Sequence, residues 1–121
     1  MKQFFTLFIL LFSVVFSNAQ LVPRDKIIVE GTVGFWTSYC AGATLGVDEL
    51  IENDYEVAAV LNHFQDSLAN SYSNARTAFY GTTVYPTVYI DGITSIPGGN
   101  STNSLFPEYE EKVIQRMSIP S

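Results

Sequence analysis

The sequence holds a single cysteine, a single histidine and a single tryptophan among 121 residues. One cysteine cannot close a disulfide within the chain, so Cys40 is either a free thiol or half of a bridge to another molecule. The disulfide-stapled class of small secreted domains is thereby excluded. His63 and Cys40 alone cannot make a zinc site of the usual kind. One histidine without a Gly-x-Ser-x-Gly elbow leaves no serine-hydrolase triad. The only Gly-rich stretch, Pro97-Gly98-Gly99-Asn100, lacks the Gly-Lys-Ser/Thr that a phosphate loop requires. No metal or cofactor is called for. Basic residues are also scarce, 6 against 12 acidic, for a formal net charge of −6. With no basic stripe to neutralise phosphates, nucleic acid and anionic lipid are not expected partners. The acidic balance itself favours solubility.

Long apolar runs are confined to the N-terminus. Lys2 supplies a positive start, Phe4 to Phe16 an apolar stretch, and Ser17 and Ala19 the small residues that precede a cut between Ala19 and Gln20. This is the pattern of a secretory signal peptide. The competing reading is an uncleaved anchor, but the run falls short of the roughly 20 apolar residues that a span needs. The protein is therefore expected to be exported: periplasmic, attached to the outer membrane or extracellular. No cysteine follows the run to carry a lipid, and no later segment is apolar enough to cross a membrane. The organisation expected is a leader over 1–19 and one small domain over 20–121, large enough for a single core. Loss of Lys2 takes the net charge one unit below the −6 of the full chain.

Lys26 to Trp36 is rich in β-branched and aromatic residues and predicts a buried strand running into a loop. Ala41 to Asn53 predicts a helix with Leu45, Leu50 and Ile51 on its apolar positions, weakened by Gly42 and Gly46. Tyr55 to Phe64 predicts a second strand. It is apolar without strict alternation, which suits a strand covered on both faces. A short helix begins near Ser71, runs through Asn74, Arg76 and Phe79, and closes at Gly81. Pro86 precedes a strand over Thr87 to Ile90, and Asp91-Gly92 signals a hairpin turn. A short strand and a Gly-rich loop follow. The last helix, Leu105 to Met117, carries Glu108, Glu110 and Glu111 early and Lys112 and Arg116 late, as the helix dipole favours. The order β-α-β-α-β-β-α predicts an α/β domain built on a mixed four-stranded sheet with flanking helices on both faces.

Three features then fall together: "FWTSYC" after the first strand with Cys40 opening a helix, Tyr85-Pro86-Thr87 before the third strand, and Gly98-Gly99 before the last helix. In these the chain resembles the thioredoxin-like superfamily over nearly all of 20–121. A narrower likeness is to the N-terminal thioredoxin-like domain of a secreted and outer-membrane protein family of Bacteroidetes-type bacteria, whose members are often longer. Asn74, Ala75, Arg76, Tyr80, Gly81, Pro86, Thr87, Asp91 and Gly92 carry that match. The resemblance implies a thioredoxin-like fold, a cis Tyr85-Pro86 bond facing the thiol, and a backbone before the proline that pairs with an extended peptide. On the residues alone, Pro86 suits the start of a strand in either isomer. Two departures stand out: Trp36 lies four residues before Cys40 rather than beside it, and Ala43 occupies the place of the second cysteine of Cys-x-x-Cys.

A thiol at a helix N-terminus meets unpaired amides and the positive end of the dipole, so Cys40 is expected to have a lowered pKa. Such a thiolate attacks a disulfide to give a mixed disulfide, which without a second cysteine waits for an outside thiol. The alternative is a buried, inert cysteine packed as a small hydrophobe. His63, at the end of a strand, is a candidate base for Cys40, or more simply a surface or capping residue. Asp48-Glu49 and Glu110-Glu111 suit solvated helix faces. Asn100-Ser101-Thr102 fits the N-glycosylation pattern. Two function classes follow. One is a non-catalytic binding or accessory domain for a protein or peptide, with Trp36, Tyr39, Tyr85, Pro86 and Thr87 forming the groove. The other is a monothiol disulfide-exchange protein with Cys40 as nucleophile. Ala43 tilts the choice to the first.

Overall fold

The computed structural model describes residues 22–120; the leader read over 1–19 lies outside the described residues. The elements are β1 (Ile27–Val33), α1 (Cys40–Glu52), β2 (Val57–His63), α2 (Ser71–Tyr80), β3 (Thr87–Ile90), β4 (Thr94–Pro97) and α3 (Phe106–Met117). They form one α/β domain with a mixed four-stranded sheet in the order β2-β1-β3-β4. β2 runs parallel to β1, while β3 and β4 are antiparallel to their neighbours. The element order is the one the sequence pattern predicts. Among the described residues, no helix is long and apolar enough to cross a membrane.

Alternation along the strands divides the sheet into unlike faces. Ile27 and Val29 of β1, Val88 and Ile90 of β3, and Ile96 of β4 point to one side. There they meet Ala43, Val47 and Leu50 of α1 and Tyr109 and Val113 of α3. Each large aliphatic side chain buried in this way contributes roughly 1.5–3 kcal/mol. The glycines that weaken α1 as a helix are where its neighbours press closest. A Cβ on Gly46 would stand 2.8 Å from the Phe106 nitrogen, and one on Gly42 would stand 2.3 Å from the Asn103 carbonyl oxygen.

The opposite face carries a charge. Glu30 stands in the middle of β1, buried, and a buried carboxylate is costly unless it is paired. Arg76 of α2 supplies the pair through Nε to Oε1 at 2.7 Å and Nη2 to Oε2 at 2.6 Å. The Tyr80 hydroxyl donates to the same carboxylate, and its ring stacks on Tyr89 of β3 at 3.8 Å. The hydrogen bond from Arg76 chiefly holds the Glu30 carboxyl below its ordinary pKa, against the opposing effect of burial. Burial, with Glu30 beside it, pushes the Tyr80 phenol up to about 12.

α2 is fixed at both ends by local chemistry. Asn70 and Ser73 form a capping box, and Gly81 closes the helix in the left-handed region at φ 60°. Asp91 and Gly92, both at positive φ, make the β3–β4 turn. Asp91 also accepts from Arg24 at 2.5 Å, from Arg116 at 3.1 Å and from the Ile28 amide at 3.0 Å, drawing the start of β1, the hairpin and the end of α3 together.

One expectation is corrected. The apolar run of β2 predicts a strand covered on both faces, but β2 is an edge strand. None of its residues except Asn62 is fully buried, and Val60 is 50 % exposed. α2 lies over β2 but leaves Ile28 of β1 50 % exposed as well. Covering of the second face is therefore partial among the described residues.

Candidate functional site

The parallel pair β1 and β2 delivers two loops to the same end of the sheet. The β1–α1 loop carries Phe35, Trp36 and Tyr39 into Cys40; the segment after β2 carries Phe64 and Asp66. The Trp36 indole bridges the two, donating from Nε1 to the Phe64 carbonyl at 2.9 Å. Trp36 also meets Tyr85 edge-on at 5.4 Å, and Tyr85 stacks on Phe64 at 5.0 Å. Trp36, Phe64 and Tyr85 thus form one aromatic cluster, with Trp36 53 % exposed.

The Tyr85-Pro86 bond is cis, as the resemblance implies. The Pro86 ring is fully buried, and the Gly98-Gly99 loop covers it. A Cβ on Gly99 would stand 2.1 Å from the Tyr39 carbonyl oxygen and 2.6 Å from Pro86 Cγ, so only glycine fits between them. The Pro86 carbonyl accepts from Gly98 N–H at 2.8 Å, and Thr87 Oγ1 donates to the Val84 carbonyl at 2.8 Å. Thr87 is buried in β3, with its own carbonyl accepting from Thr32 Oγ1 at 3.2 Å. Its side chain is therefore part of the frame. Tyr85 is different: among the described residues, neither its main-chain amide nor its carbonyl has a hydrogen-bond partner.

Cys40 occupies the first position of α1 and is 7 % exposed. Its Sγ accepts from the Gly34 amide at 3.3 Å. The lowered thiol pKa expected at a helix N-terminus is not found. Burial pushes the thiol up, and the nearby Asp66 carboxylate adds to the rise against the relief from Gly34. The loop before α3 takes the Gly42 amide with the Asn100 carbonyl at 2.8 Å, while Asn100 N–H donates to the Tyr39 carbonyl at 3.0 Å. The first-turn amides are thus partnered, Gly42 by the Asn100 loop and Cys40 and Ala41 by the Thr37 and Ser38 carbonyls. Ala43, in the place of a second cysteine, is fully buried in the core.

Beside Cys40 opens a cavity of about 460 Å³ walled by Phe35, Thr44 and Leu45. Tyr85 and Pro86 are not among its lining residues. The sequence-predicted residues therefore fall into two adjoining zones: Trp36 with Tyr85 in the aromatic cluster, and Cys40 in the cavity. Tyr39 is exposed and joins them through its carbonyl contact to the Asn100 loop.

No hydrogen bond joins His63 to Cys40. The His63 Nδ1 pairs with Asp66 Oδ2 at 2.7 Å, and the Phe35 ring lies 4.8 Å from the imidazole. Asp66 is the residue that sequence reasoning missed. It accepts from the amides of Phe35 at 3.0 Å, Leu68 at 2.9 Å and Ala69 at 3.1 Å. Burial opposes its charge, but His63 and these amides outweigh that and hold its carboxyl below the ordinary value. "HFQDS" carried a signal for it: an Asp two residues before an amide is a common turn-former. Among the described residues, no group of His, Cys, Asp and Glu is placed to hold a metal ion. Comparison with known families finds no matching family, and comparison with characterised proteins finds no match.

Proposed function

We propose that this is an exported thioredoxin-like domain that binds an extended protein or peptide segment without turning it over. The observation that carries the reading is the unpartnered Tyr85 backbone beside cis-Pro86, flanked by the exposed Trp36. An extended segment pairs its main chain with Tyr85, and an apolar side chain packs on the aromatic cluster. Main-chain bonds give affinity and side-chain contacts give selectivity in this mode. The thioredoxin-like assignment and its narrower likeness to the exported Bacteroidetes-type family rest on the cis proline, the Gly98-Gly99 cover and the element order.

The second reading, monothiol exchange through Cys40, is weaker. It would form a bond from Sγ to a partner disulfide sulfur, expel the other sulfur as thiolate, and need an outside thiol for release. A buried thiol whose pKa is raised has little thiolate to begin that attack.

The test uses the only tryptophan as reporter. A library of unstructured peptides free of cysteine is titrated against the purified protein while Trp36 emission is followed. Saturable changes that survive Cys40→Ser support the binding reading. No saturable change with any peptide would overturn it. Binding only to disulfide-containing peptides, abolished by Cys40→Ser, would establish the exchange reading instead. Ala43→Cys then asks whether the second sulfur restores disulfide reduction.

A further inference from the structure

Among the described residues β2 has one side unpaired, and its hydrogen bonding shows which groups face outward. Ile27 N–H donates to the Glu56 carbonyl at one end of the β1–β2 ladder, and Phe64 N–H donates to the Val33 carbonyl at the other. In a parallel ladder alternate residues of a strand face the same neighbour. Ala58, Val60 and Asn62 therefore spend their main chains on β1, and Ala59, Leu61 and His63 present theirs away from the sheet. Edge strands in natural proteins are normally short, charged, bulged or broken by proline. β4 follows that rule, with four residues ending at Pro97. β2 does not: "VAAVLNH" is seven residues with no lysine, acid or proline.

We infer that this edge pairs with the same edge of a second copy, antiparallel about a two-fold axis through Val60. In that register Ala59 faces Leu61 of the partner and each exchanges its outward amide and carbonyl. His63 faces Val57 of the partner. On the second face Val60, half exposed, meets its symmetry mate in a non-hydrogen-bonded pair, where the Cα atoms approach to about 4.5 Å. Ala58 meets Asn62 of the partner, a small residue against a medium one.

Charge favours self-pairing at this place on an otherwise acidic chain. Of the acids near the strand, Glu56 pairs with Lys26 at 3.0 Å, and Asp66 is hydrogen-bonded to His63 at 2.7 Å. Within residues 57–63 no acid stands opposite another, so a second copy meets no like charge along the strand. A closed two-fold contact also consumes both edges at once and stops there, unlike head-to-tail pairing.

The experiment is sedimentation velocity on the purified protein, on Val60→Lys and on Val60→Glu, each alone and then the two variants mixed. The expected result is dimeric wild type, two variants that are each monomeric because like charges meet at the axis, and a heterodimer on mixing. Circular dichroism checks that the variants fold; Val60 is exposed enough to accept either side chain. Should one fail to fold, the other is read alone against wild type, and amide exchange of wild-type Ala59 and Leu61 is followed with concentration. Protection that rises with concentration supports the pairing. A wild type that stays monomeric at its highest soluble concentration overturns it. So do a dimer unaffected by Val60→Lys, a mixture that fails to associate, and an edge taken up by a foreign peptide alone.

Discussion

Replacing Arg76 by methionine keeps the length of the side chain and removes its charge. The structure fixes what is lost: the bonds to Glu30 at 2.7 and 2.6 Å, and one to the Tyr80 hydroxyl at 2.9 Å. Removing one member of a fully buried pair costs about 3–5 kcal/mol, whereas an exposed pair is worth about 0–1 kcal/mol. This pair lies between those limits. The side chain of Glu30 is 10 % exposed and that of Arg76 41 %. Solvent therefore screens the arginine side, and Tyr80 remains as a donor to the carboxylate. The expected cost of Arg76→Met is about 2 kcal/mol. In urea, with a slope of about 1 kcal/mol per molar for a domain of this size, the unfolding midpoint falls by about 2 M. The double variant Glu30→Met with Arg76→Met removes the stranded charge and recovers most of the loss. The pH dependence follows from the direction of the Glu30 shift. Its folded pKa lies below the unfolded value, so its stabilisation is present above about pH 4.3 and disappears as pH falls through the folded value. Arg76→Met flattens that part of the acid limb, while the portion due to Asp66 and Glu111 remains. A cost below about 0.5 kcal/mol, within the usual range for an exposed site, refutes the argument. A double variant less stable than the single one does so as well.

Other outcomes can be checked more briefly. Alkylation of Cys40 should show a midpoint above the ordinary thiol value of about 8.5, and a midpoint below it would reverse the assignment of burial as the controlling effect. Gly99→Ala should destabilise by at least about 1–3 kcal/mol through the clash with the Tyr39 carbonyl and Pro86, read as a lowered melting temperature; an unchanged value means the loop has slack. Trp36→Phe should cost about 1 kcal/mol from the lost bond to the Phe64 carbonyl and weaken the proposed peptide binding; full affinity would show that the indole takes no part in it.

Much of the fold was legible because the apolar runs, the Gly81 that closes α2 and the Asp91-Gly92 turn are local signals. The position of β2 in the sheet was not, because an apolar run reports its own composition and not which strands flank it. Glu30 was readable in principle: a lone acid in "IIVEGTV" demands a partner, and Arg76 and Tyr80 were already conspicuous. The site was read less well. Its aromatic residues and cis proline lie in short motifs, whereas the raised thiol pKa depends on burial and on Asp66 from a separate loop, which no pattern around Cys40 discloses. The Asp66 clamp likewise exists only once the two loops share one end of the sheet.

Asp91 gathers Arg24 and Arg116, and Arg24 also reaches the Ile119 carbonyl at 2.7 Å. The two ends of the described segment, at Arg24 and Ile119, therefore stand side by side at the start of β1. Cys40 and the aromatic cluster lie beyond its other end, across a strand of seven residues, or roughly 20 Å. A tether attached at residue 22 or residue 120 would hold the domain by its base and turn the cluster outward. For the same reason, joining residues 22 and 120 by a short linker and opening the chain in an exposed loop should yield a permuted domain with its groove unchanged.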